Sequence, residues 1–256
     1  MRYEILGPLR ITNDEGTRSI AARKIEVLLA LLLIRANQVV STEEVIAEIW
    51  GGCAPDRAIA AVHVYISKLR KLLGVDPQGD SPIVTRPPGY VFRLGAAGFD
   101  VNDLQALMQE GRTHLRGGRH RPAAHAFGEA LRLWRGPVLG DAVSGPVTTS
   151  FVTWLEEARL ECIESLIDSQ LHLGLHRELV GWLFTLIGEY PLRETFYRQL
   201  MLGLCRSERQ ADALRVFHTA RRTLNEELGL EPSRALQQLH AAILRADERL
   251  EVDAAA

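Results

Sequence analysis

The chain has 256 residues, of which 46% are hydrophobic and 24% are charged. These proportions suit one large or two ordinary domains with a substantial core, and they exclude a mainly disordered chain. The formal net charge of -2 comes from 30 basic and 32 acidic residues. A nucleic-acid or membrane partner would therefore have to be met by local charge, because no overall field points to one.

Cysteine usage and apolar runs exclude further classes. Cys53, Cys162 and Cys205 are far apart in the sequence, which favours neither a disulfide framework nor a zinc site. The longest apolar run, 27–34, has 8 residues, whereas a membrane span needs roughly 20. The alternating N-terminal sequence lacks the apolar region of a signal peptide. We therefore expect a cytoplasmic protein with no membrane partner and no metal.

The first 35 residues carry strand signals followed by a helix signal. Two short apolar runs, around Ile5 and Ile11, precede a turn at 13–16, and they predict a small antiparallel sheet. From Ala21 to Arg35 the apolar residues recur at 3.6-residue spacing, which predicts a helix with a wide buried face. We expect this helix to serve the core.

Two more helices and a hairpin follow. Ser41 and Glu44 form a capping box, which opens a second helix that continues to Trp50. A third helix is predicted over 57–73, and two β-rich runs around a Pro-Pro-Gly turn predict a hairpin over 83–92. Strands, three helices and a hairpin in this order indicate a winged helix-turn-helix with an extra N-terminal sheet, an architecture that binds duplex DNA.

The rest of the chain is predicted to be helical. About seven helices fit between the glycine and proline breaks beyond Phe99, with a loop from Gly136 to about Ser150. Two segments, 123–127 and 213–217, share the A-x-x-x-F spacing of tetratricopeptide units. We interpret the region as a helical repeat array, with a plain α-bundle as the alternative. Its inter-helix core is expected to hold Trp134, Trp154, Trp182, Phe184, Leu214 and Phe217.

The predicted fold class is mainly α with a small β component. A winged helix-turn-helix is expected over 1–95. An all-α, tetratricopeptide-like domain is expected over 99–250, followed by a disordered tail over 251–256.

The third helix is the candidate DNA reader. Val62, Ile66, Leu69 and Leu73 lie on one apolar stripe, which fixes the inward face of the helix. A rotation of 100° per residue then defines the outward face. Small apolar residues beside cations suit a major groove, where they can meet thymine methyl groups. The candidate DNA-binding residues of this helix are Arg57, Ala60, His63, Val64, Ser67, Lys68, Arg70 and Lys71.

Local charge supports this interpretation. The helix carries Lys68, Arg70 and Lys71 and no acidic residue; the alternative is a solvated helix whose C-terminal cations suit its dipole. Arg86 favours a DNA role because it lies at the predicted hairpin tip, where a wing places a cation in the minor groove or along phosphates. Weaker candidates for phosphate contacts are Thr85, Lys24 and Arg23.

Four segments resemble a known family. VHVYISKLRKLL (62–73) and IVTRPPGYVF (83–92) resemble the OmpR-type winged-helix domain. LRLWRGPVLGD (131–141) and ALRVFHTARRTLNEELGLEPS (213–233) resemble signatures of the bacterial transcriptional activation domain. Together these domains cover nearly the whole chain, which is similar to the Streptomyces antibiotic regulatory protein (SARP) family.

The resemblance implies an activator of a secondary-metabolite gene cluster, such as one for an antibiotic. Members of this family bind direct repeats near the promoter −35 region as head-to-tail pairs, so a homodimer on DNA is expected, and they contact RNA polymerase holoenzyme with its sigma factor. By position, helix 57–73 would read the major groove and Arg86 would serve the wing. Many OmpR-type wings have glycine after this arginine, whereas this chain has Pro87 and Pro88. No cofactor, ATP-coupled control or aspartyl phosphorylation is expected.

An enzyme is the first rival. The sequence has no Walker A, dinucleotide-binding, zincin or nucleophile-elbow motif, so no catalytic residue is assigned. His172 and His176 lie four residues apart, but no nearby third ligand completes a metal site. A cluster of acidic residues at helical spacing is interpreted as solvated surface; it comprises Glu156, Glu157, Glu161 and Glu164.

The second rival is a helical-repeat scaffold that binds a protein or peptide partner and has no DNA role. It predicts no DNA affinity at any salt concentration, whereas the activator hypothesis predicts that a fragment ending at Leu94 binds DNA without activating transcription. Residues 1–95 carry 12 basic and 10 acidic residues, and the remainder carries 18 basic and 22 acidic. The near-neutral total is therefore an average over a mildly basic reader and an acidic helical region.

Overall fold

A computed structural model gives the fold of the protein and describes residues 1–14, 16–74, 81–247 and 250. These residues form two compact units. The first consists of Met1–Leu107 and Glu129–Leu160, and the second of Met108–Gly128 and the described residues from Glu161 onward. The predicted tail lies outside the described residues. Within the described part, no helix is both long enough and apolar enough to span a bilayer.

The described residues confirm a mainly α fold with a small β component. The strands are β1 (Arg2–Glu4), β2 (Arg10–Asn13), β3 (Gly16–Arg18), β4 (Val39–Ser41), β5 (Ile83–Arg86), β6 (Gly89–Phe92) and β7 (Gly98–Phe99). The helices are α1 (Arg23–Ile34), α2 (Thr42–Trp50), α3 (Ala58–Leu73), α4 (Asp100–Arg116), α5 (His120–Arg132), α6 (Pro146–His172), α7 (His176–Glu189), α8 (Glu194–Cys205), α9 (Gln210–Leu228) and α10 (Arg234–Leu244). A short 3₁₀ turn covers Gly140–Ala142. The helices from α4 to α10 match the predicted number.

The N-terminal sheet has the strand order β3-β2-β1-β7. The predicted antiparallel pairing of the first strands is confirmed, with Tyr3 opposite Ile11. β7 pairs with β1 in parallel and places Phe99 opposite Tyr3. The sequence analysis missed β7, because a two-residue strand shows no alternation of apolar and polar residues.

Helix α1 supplies much of the core of the first unit. It buries eight residues, and Leu28, Leu29 and Leu32 have no exposed surface. Burying each leucine contributes roughly 1.5–3 kcal/mol. The helix packs against α2, α3 and β6, so the predicted wide buried face is confirmed.

The capping box at the start of α2 is also confirmed. The hydroxyl of Ser41 accepts a hydrogen bond from the Glu44 N–H at 3.1 Å, and the Glu44 carboxylate accepts one from the Ser41 N–H at 2.8 Å. The helix ends at Trp50, as predicted, and Gly51 follows with a φ of 58°. A left-handed φ of this kind favours glycine.

A buried carboxylate joins α2 to the start of α6. Glu48 is 1% exposed; it accepts hydrogen bonds from the N–H groups of Gly145, Val147 and Thr148 at 3.1, 2.9 and 2.9 Å, and from the Thr148 hydroxyl at 2.6 Å. N–H groups in the first turn of a helix have no carbonyl partner within the helix, and the helix dipole favours a negative charge there. A Cβ at position 145 would lie 2.6 Å from the Glu48 Cα, so this contact requires glycine.

This contact explains why α6 begins earlier than predicted. The sequence analysis extended the preceding loop to about Ser150, whereas the helix begins at Pro146. Proline suits the first helical position because its missing N–H would have no partner there. The N–H groups of Val147 and Thr148 bond to Glu48, which lies about 100 residues away in sequence, so Pro146 is a local signal of the start but the capping partner is remote.

The segment between α5 and α6 runs along the N-terminal strand region. The Arg135 N–H donates to the Leu6 carbonyl at 2.7 Å, and the Leu139 N–H donates to the Ile5 carbonyl at 3.1 Å. Pro8 and Leu139 form an isolated parallel bridge. The first unit therefore includes backbone pairing that a fragment ending at Leu94 would lose.

Asp100 supports the same strand region from the first residue of α4. Its Oδ2 accepts hydrogen bonds from the N–H groups of Ile5 and Leu6 at 2.8 and 2.9 Å, and the side chain is almost fully buried. Burial raises the pKa of Asp100 from 3.8 to about 6, against the opposing effects of the two N–H donors and of Arg135. The carboxyl is therefore more easily protonated in the folded chain than in the unfolded one.

The second unit consists of packed helices. Consecutive helices from α7 to α10 contact one another, and the A-x-x-x-F residues Ala123, Phe127, Ala213 and Phe217 are all buried. A Cβ at Gly111 of α4 would lie 2.7 Å from the Phe127 ring of α5. These two helices therefore pack at a distance that only glycine allows.

The predicted aromatic core of the helical region is partly wrong. Phe217 is buried, but Trp154, Trp182 and Phe184 are 41%, 36% and 44% exposed, and Trp134 and Leu214 are half-buried. On α7 the buried side chains are Leu179, Val180, Leu183 and Leu186. Aliphatic residues cover that interface, so the aromatic side chains that alternate with them face outward.

Glu48→Ala should destabilise the first unit. The substitution leaves the N–H groups at the start of α6 buried without an acceptor, which should lower the free energy of unfolding by about 2–4 kcal/mol. Glu48→Gln keeps one acceptor oxygen and should cost less. Urea denaturation of the full chain measures both values. Glu43→Ala removes an exposed carboxylate from the same helix and serves as the control; an equal loss in both alanine variants would contradict this role of Glu48.

Asp100 should produce a measurable pH dependence of stability. Because its pKa is raised in the folded state, from 3.8 to about 6, its stabilising contribution is complete below the unfolded pKa and is lost as the pH rises through the folded pKa. Asp100→Asn keeps an acceptor oxygen and does not titrate. The free energy of unfolding of this variant, relative to that of the wild type, should therefore rise by up to roughly 3 kcal/mol between pH 4 and pH 7. Thermal denaturation of both proteins across this pH range measures the difference. If their stabilities change with pH in parallel, the pKa of Asp100 is not raised in the folded state.

Candidate nucleic-acid interface

Helix α3 has the inward face that the sequence predicted. Val62, Ile66, Leu69 and Leu73 are buried together with Ala58. The opposite face is solvent-exposed, and the helix packs against α1 and α2 through its buried side. The exposed side chains on this face are Arg57, Ala60, His63, Val64, Ser67, Lys68 and Lys71.

The exposed face combines apolar and cationic groups. Val64 is 50% exposed, and Ala60 lies one helical turn before it. Lys68 and Lys71 follow toward the C-terminus of the helix, and no ion pair to a carboxylate is seen for either lysine among the described residues. Ammonium groups without carboxylate partners remain available to phosphates, and the methyl groups of Val64 and Ala60 remain available to thymine.

Arg70 differs from the other candidate residues because it contacts the wing. It is half-buried, its Nε donates to the Ile83 carbonyl at 3.0 Å, and its Nη2 donates to the Thr85 hydroxyl at 2.8 Å. These bonds fix the guanidinium between α3 and β5. Arg70 therefore positions the hairpin relative to the helix, and the Thr85 hydroxyl is engaged in the same contact.

The wing is the hairpin of β5 and β6, as predicted, with β4 added to give the order β4-β6-β5. Arg86 is exposed at its tip, directly before Pro87 and Pro88, and pairs in register with Gly89. A Cβ on Gly89 would lie 1.9 Å from the Val40 carbonyl oxygen of β4. Glycine is therefore required where the wing turns over β4.

The weaker phosphate candidates on α1 differ from each other. Lys24 lies over the Trp50 ring, with its Nζ 5.0 Å from the ring centroid, and Trp50 stacks on Tyr65 of α3 at 6.0 Å. A cation over an aromatic face is attracted by its quadrupole, so Lys24 is tied to the α2–α3 pair. Arg23 is exposed and lies one residue before Lys24 at the start of α1.

One residue of this surface was missed by the sequence analysis. Ile59 is 59% exposed in the first turn of α3, on the flank of the helix that also carries Arg70 three turns later. A helical wheel places it about 20° from the buried Ile66. The wheel therefore favours burial, and helical spacing gives no signal of its exposure.

The other sequence candidates do not form a site. His172 stacks on His120 at 4.1 Å and its Nδ1 lies 2.7 Å from the Asp168 carbonyl. In the described part of the chain no group of three metal-binding side chains is found. In the acidic cluster, Glu161 pairs with Arg112 at 2.6 Å and Glu164 pairs with Arg193 at 2.5 Å.

A helix with an exposed mixed cationic and apolar face, followed by a hairpin with an arginine at its tip, defines a winged-helix DNA-binding protein, here joined to a helical domain. Two family models match the chain: Transcriptional regulatory protein, C terminal, over residues 19–92, and Bacterial transcriptional activator domain over residues 99–244. The chain belongs to the SARP family of transcriptional activators.

Relatives support the assignment along the whole chain. The transcriptional regulator RedD of Streptomyces coelicolor is 35% identical over 100% of this chain and 73% of its own length. The regulatory protein DnrI of Streptomyces peucetius is 35% identical over 96% of this chain and 93% of its own length. The regulatory protein AfsR of Streptomyces griseus is 36% identical over 98% of this chain. The chain spans only 25% of the length of AfsR.

A solved structure has the same fold. EmbR of Mycobacterium tuberculosis, in complex with a low affinity phosphopeptide, superposes with a TM-score of 0.90 at 31% sequence identity. The match covers 96% of this chain and 65% of the EmbR chain. A winged helix followed by a helical domain is therefore the shared architecture.

Arg70→Ala should loosen the wing. The variant loses the bonds to the Ile83 carbonyl and the Thr85 hydroxyl, which should cost roughly 1–2 kcal/mol of unfolding free energy and increase amide hydrogen exchange in β5. Lys71→Ala removes an exposed neighbour of the same charge and should leave that exchange unchanged. Equal exchange in the wild type and Arg70→Ala would show that Arg70 does not hold the hairpin.

Proposed function

We propose that the chain activates transcription of a secondary-metabolite gene cluster, such as one for an antibiotic, by binding direct repeats near the promoter −35 region. The observation that supports this most strongly is the exposed face of α3, where Lys68 and Lys71 lie beside Val64, with Arg86 exposed on the adjoining wing. The family relationship supplies the biological setting. A promoter-binding protein acts where the chromosome is, which places it at the nucleoid in the cytoplasm.

The proposed roles of the residues follow from their surroundings. Ala60 and Val64 would meet base edges in the major groove, and cations at both ends of α3 would contact phosphates. Arg86 would enter the minor groove or follow its phosphates. Arg70 would position the wing through Ile83 and Thr85. The proposed DNA-binding set is Arg57, Ala60, His63, Val64, Ser67, Lys68, Arg70, Lys71 and Arg86.

We further propose a division of labour between a DNA-binding domain, 1–95, and an activation domain, 99–250, that contacts RNA polymerase holoenzyme with its sigma factor. Two copies would bind head to tail, since direct repeats present the same half-site twice in one orientation. In the structure the backbone of Ile5 and Leu6 and the carboxylate of Glu48 bond to residues beyond 95. A fragment ending at Leu94 would therefore be destabilised, and the division is better tested in the full chain.

Lys68→Ala/Lys71→Ala/Arg86→Ala should weaken promoter binding and its salt dependence. Each phosphate contact contributes about 0.9 to the slope of log affinity against log salt concentration, so three lost contacts should lower the slope by up to about 2.7. Fluorescence anisotropy of the full chain on a promoter duplex, from low to physiological salt, gives both quantities. Footprinting upstream of neighbouring genes supplies the duplex.

The matched control is Arg35→Ala/Arg132→Ala/Arg159→Ala, which removes three exposed cations outside the proposed interface. It should retain the wild-type slope. An unchanged affinity and slope in the interface variant would overturn the site assignment. A wild-type chain without DNA affinity even at low salt would overturn the function and favour the helical-repeat scaffold.

A further inference from the structure

The second unit carries a concentrated basic surface at the turn between α4 and α5. Residues 111–128 contain four arginines, three histidines and no acidic residue. We call the basic corner the group formed by Arg116, Arg119, His120 and Arg121. Its three arginines are exposed and its histidine is half-buried.

The arginines of the basic corner lack carboxylate partners among the described residues, whereas the nearby Arg112 has one. Arg112 pairs with Glu161 through two hydrogen bonds, at 2.6 and 2.7 Å. Arg116 instead donates to the Thr113 hydroxyl at 3.3 Å, and Arg119 donates through its Nε to His114 Nδ1 at 3.0 Å. Neutral acceptors thus orient these two guanidinium groups, and their positive charge remains uncompensated.

The turn between the two helices is made of glycines, and a Cβ on Gly118 would meet no atom within 4 Å. Gly117 and Gly118 separate the two helices, and Gly118 has a φ of 66°. A Cβ on Gly117 would lie 3.3 Å from the guanidinium carbon of Arg119, so this guanidinium lies beside bare backbone. The first turn of α5 contains no acidic residue, and the positive end of its dipole adds to the field.

His120 contributes structure rather than charge. Its ring stacks on that of His172 with centroids 4.1 Å apart and an angle of 3° between the planes. Burial, and then the neighbouring His172, lower the pKa of His120, which keeps this ring neutral near pH 7. The charge of the basic corner therefore comes from arginines, which stay protonated at any physiological pH.

The composition of this surface favours DNA phosphates over a protein partner. The exposed residues from 111 to 128 are arginine, histidine, threonine and glycine, and none of the large exposed apolar side chains of the described chain lies there. Protein interfaces have an apolar and aromatic centre, whereas contacts to the DNA backbone are polar and positively charged. The planar guanidinium fork also matches the geometry of a phosphate.

We propose that the basic corner binds the phosphate backbone of duplex DNA that flanks the operator. It adds a sequence-independent contact from the helical domain to the contacts made by α3 and the wing. The inference rests on the proposed function, because it requires a chain that is already bound to a promoter.

The test uses Arg116→Ala/Arg119→Ala/Arg121→Ala in the full chain. Binding is measured by fluorescence anisotropy on a duplex limited to the operator and on the same operator extended by about two helical turns on each side. The variant should match the wild type on the short duplex and bind the extended one more weakly, with a salt slope lower by roughly 0.9 per lost contact. For three contacts, the wild-type affinity should fall about 40-fold further than that of the variant between 50 and 200 mM salt.

Two variants serve as controls. Arg177→Ala/Arg222→Ala/Arg234→Ala removes the same charge from exposed positions elsewhere in the second unit and should behave like the wild type. Replacement of all three corner arginines by lysine keeps the charge and should restore most of the salt slope. Circular dichroism checks that each variant is folded.

Several outcomes would overturn the proposal: an unchanged slope on the extended duplex, an equal loss on both duplexes, or an equal loss in the Arg177/Arg222/Arg234 variant. Loss of transcription activation with unchanged DNA binding would assign the basic corner to an acidic protein instead. Failure of the proposed function is distinguishable, since the wild-type chain then binds neither duplex, even at low salt.

Discussion

The first unit depends on the burial of one carboxylate, that of Glu48. A buried charge is costly unless it is well satisfied, and here three backbone N–H groups and one hydroxyl satisfy it. Helix α2, which carries Glu48, packs against both α1 and α3. The same carboxylate therefore fixes the start of α6 relative to α2, the helix that supports α3, and moving either element would leave a buried charge without its hydrogen-bond partners.

Much of the fold was predictable because its signals are local. The capping box of Ser41 and Glu44, the apolar stripe of α3 and the Pro-Pro-Gly turn each specify a structure from neighbouring residues. The errors concern remote partners. The start of α6 is set by Glu48, and the exposure of Trp182 and Phe184 is set by which face of α7 the other helices cover. Sequence spacing identifies an amphipathic helix but does not say how much of it is covered.

The proposed DNA-reading face of α3 shows the same limit. A helical wheel was enough to predict which residues of α3 are exposed, because one buried stripe determines the opposite face. It did not separate Arg70 from Lys71, although the first is bonded to β5 and the second is exposed. That distinction depends on where the hairpin folds back. A net charge of -2 likewise conceals two local basic surfaces, α3 with its wing and the basic corner, because the acidic residues are concentrated elsewhere.

The pairing of 135–139 with the N-terminal strand region has a consequence for how such regulators diversify. The N-terminal region takes backbone partners from the segment that follows it and in turn caps the start of α6 with Glu48, so it is not an independent module. Recombination at the boundary near residue 95 would combine Glu48 from one protein with the start of α6 from another, and the hydrogen bonds between them would not be preserved. If α3 reads the operator as proposed, new operator specificity should arise by substitution on its outer face, or by exchange of segments long enough to carry both sides of the junction.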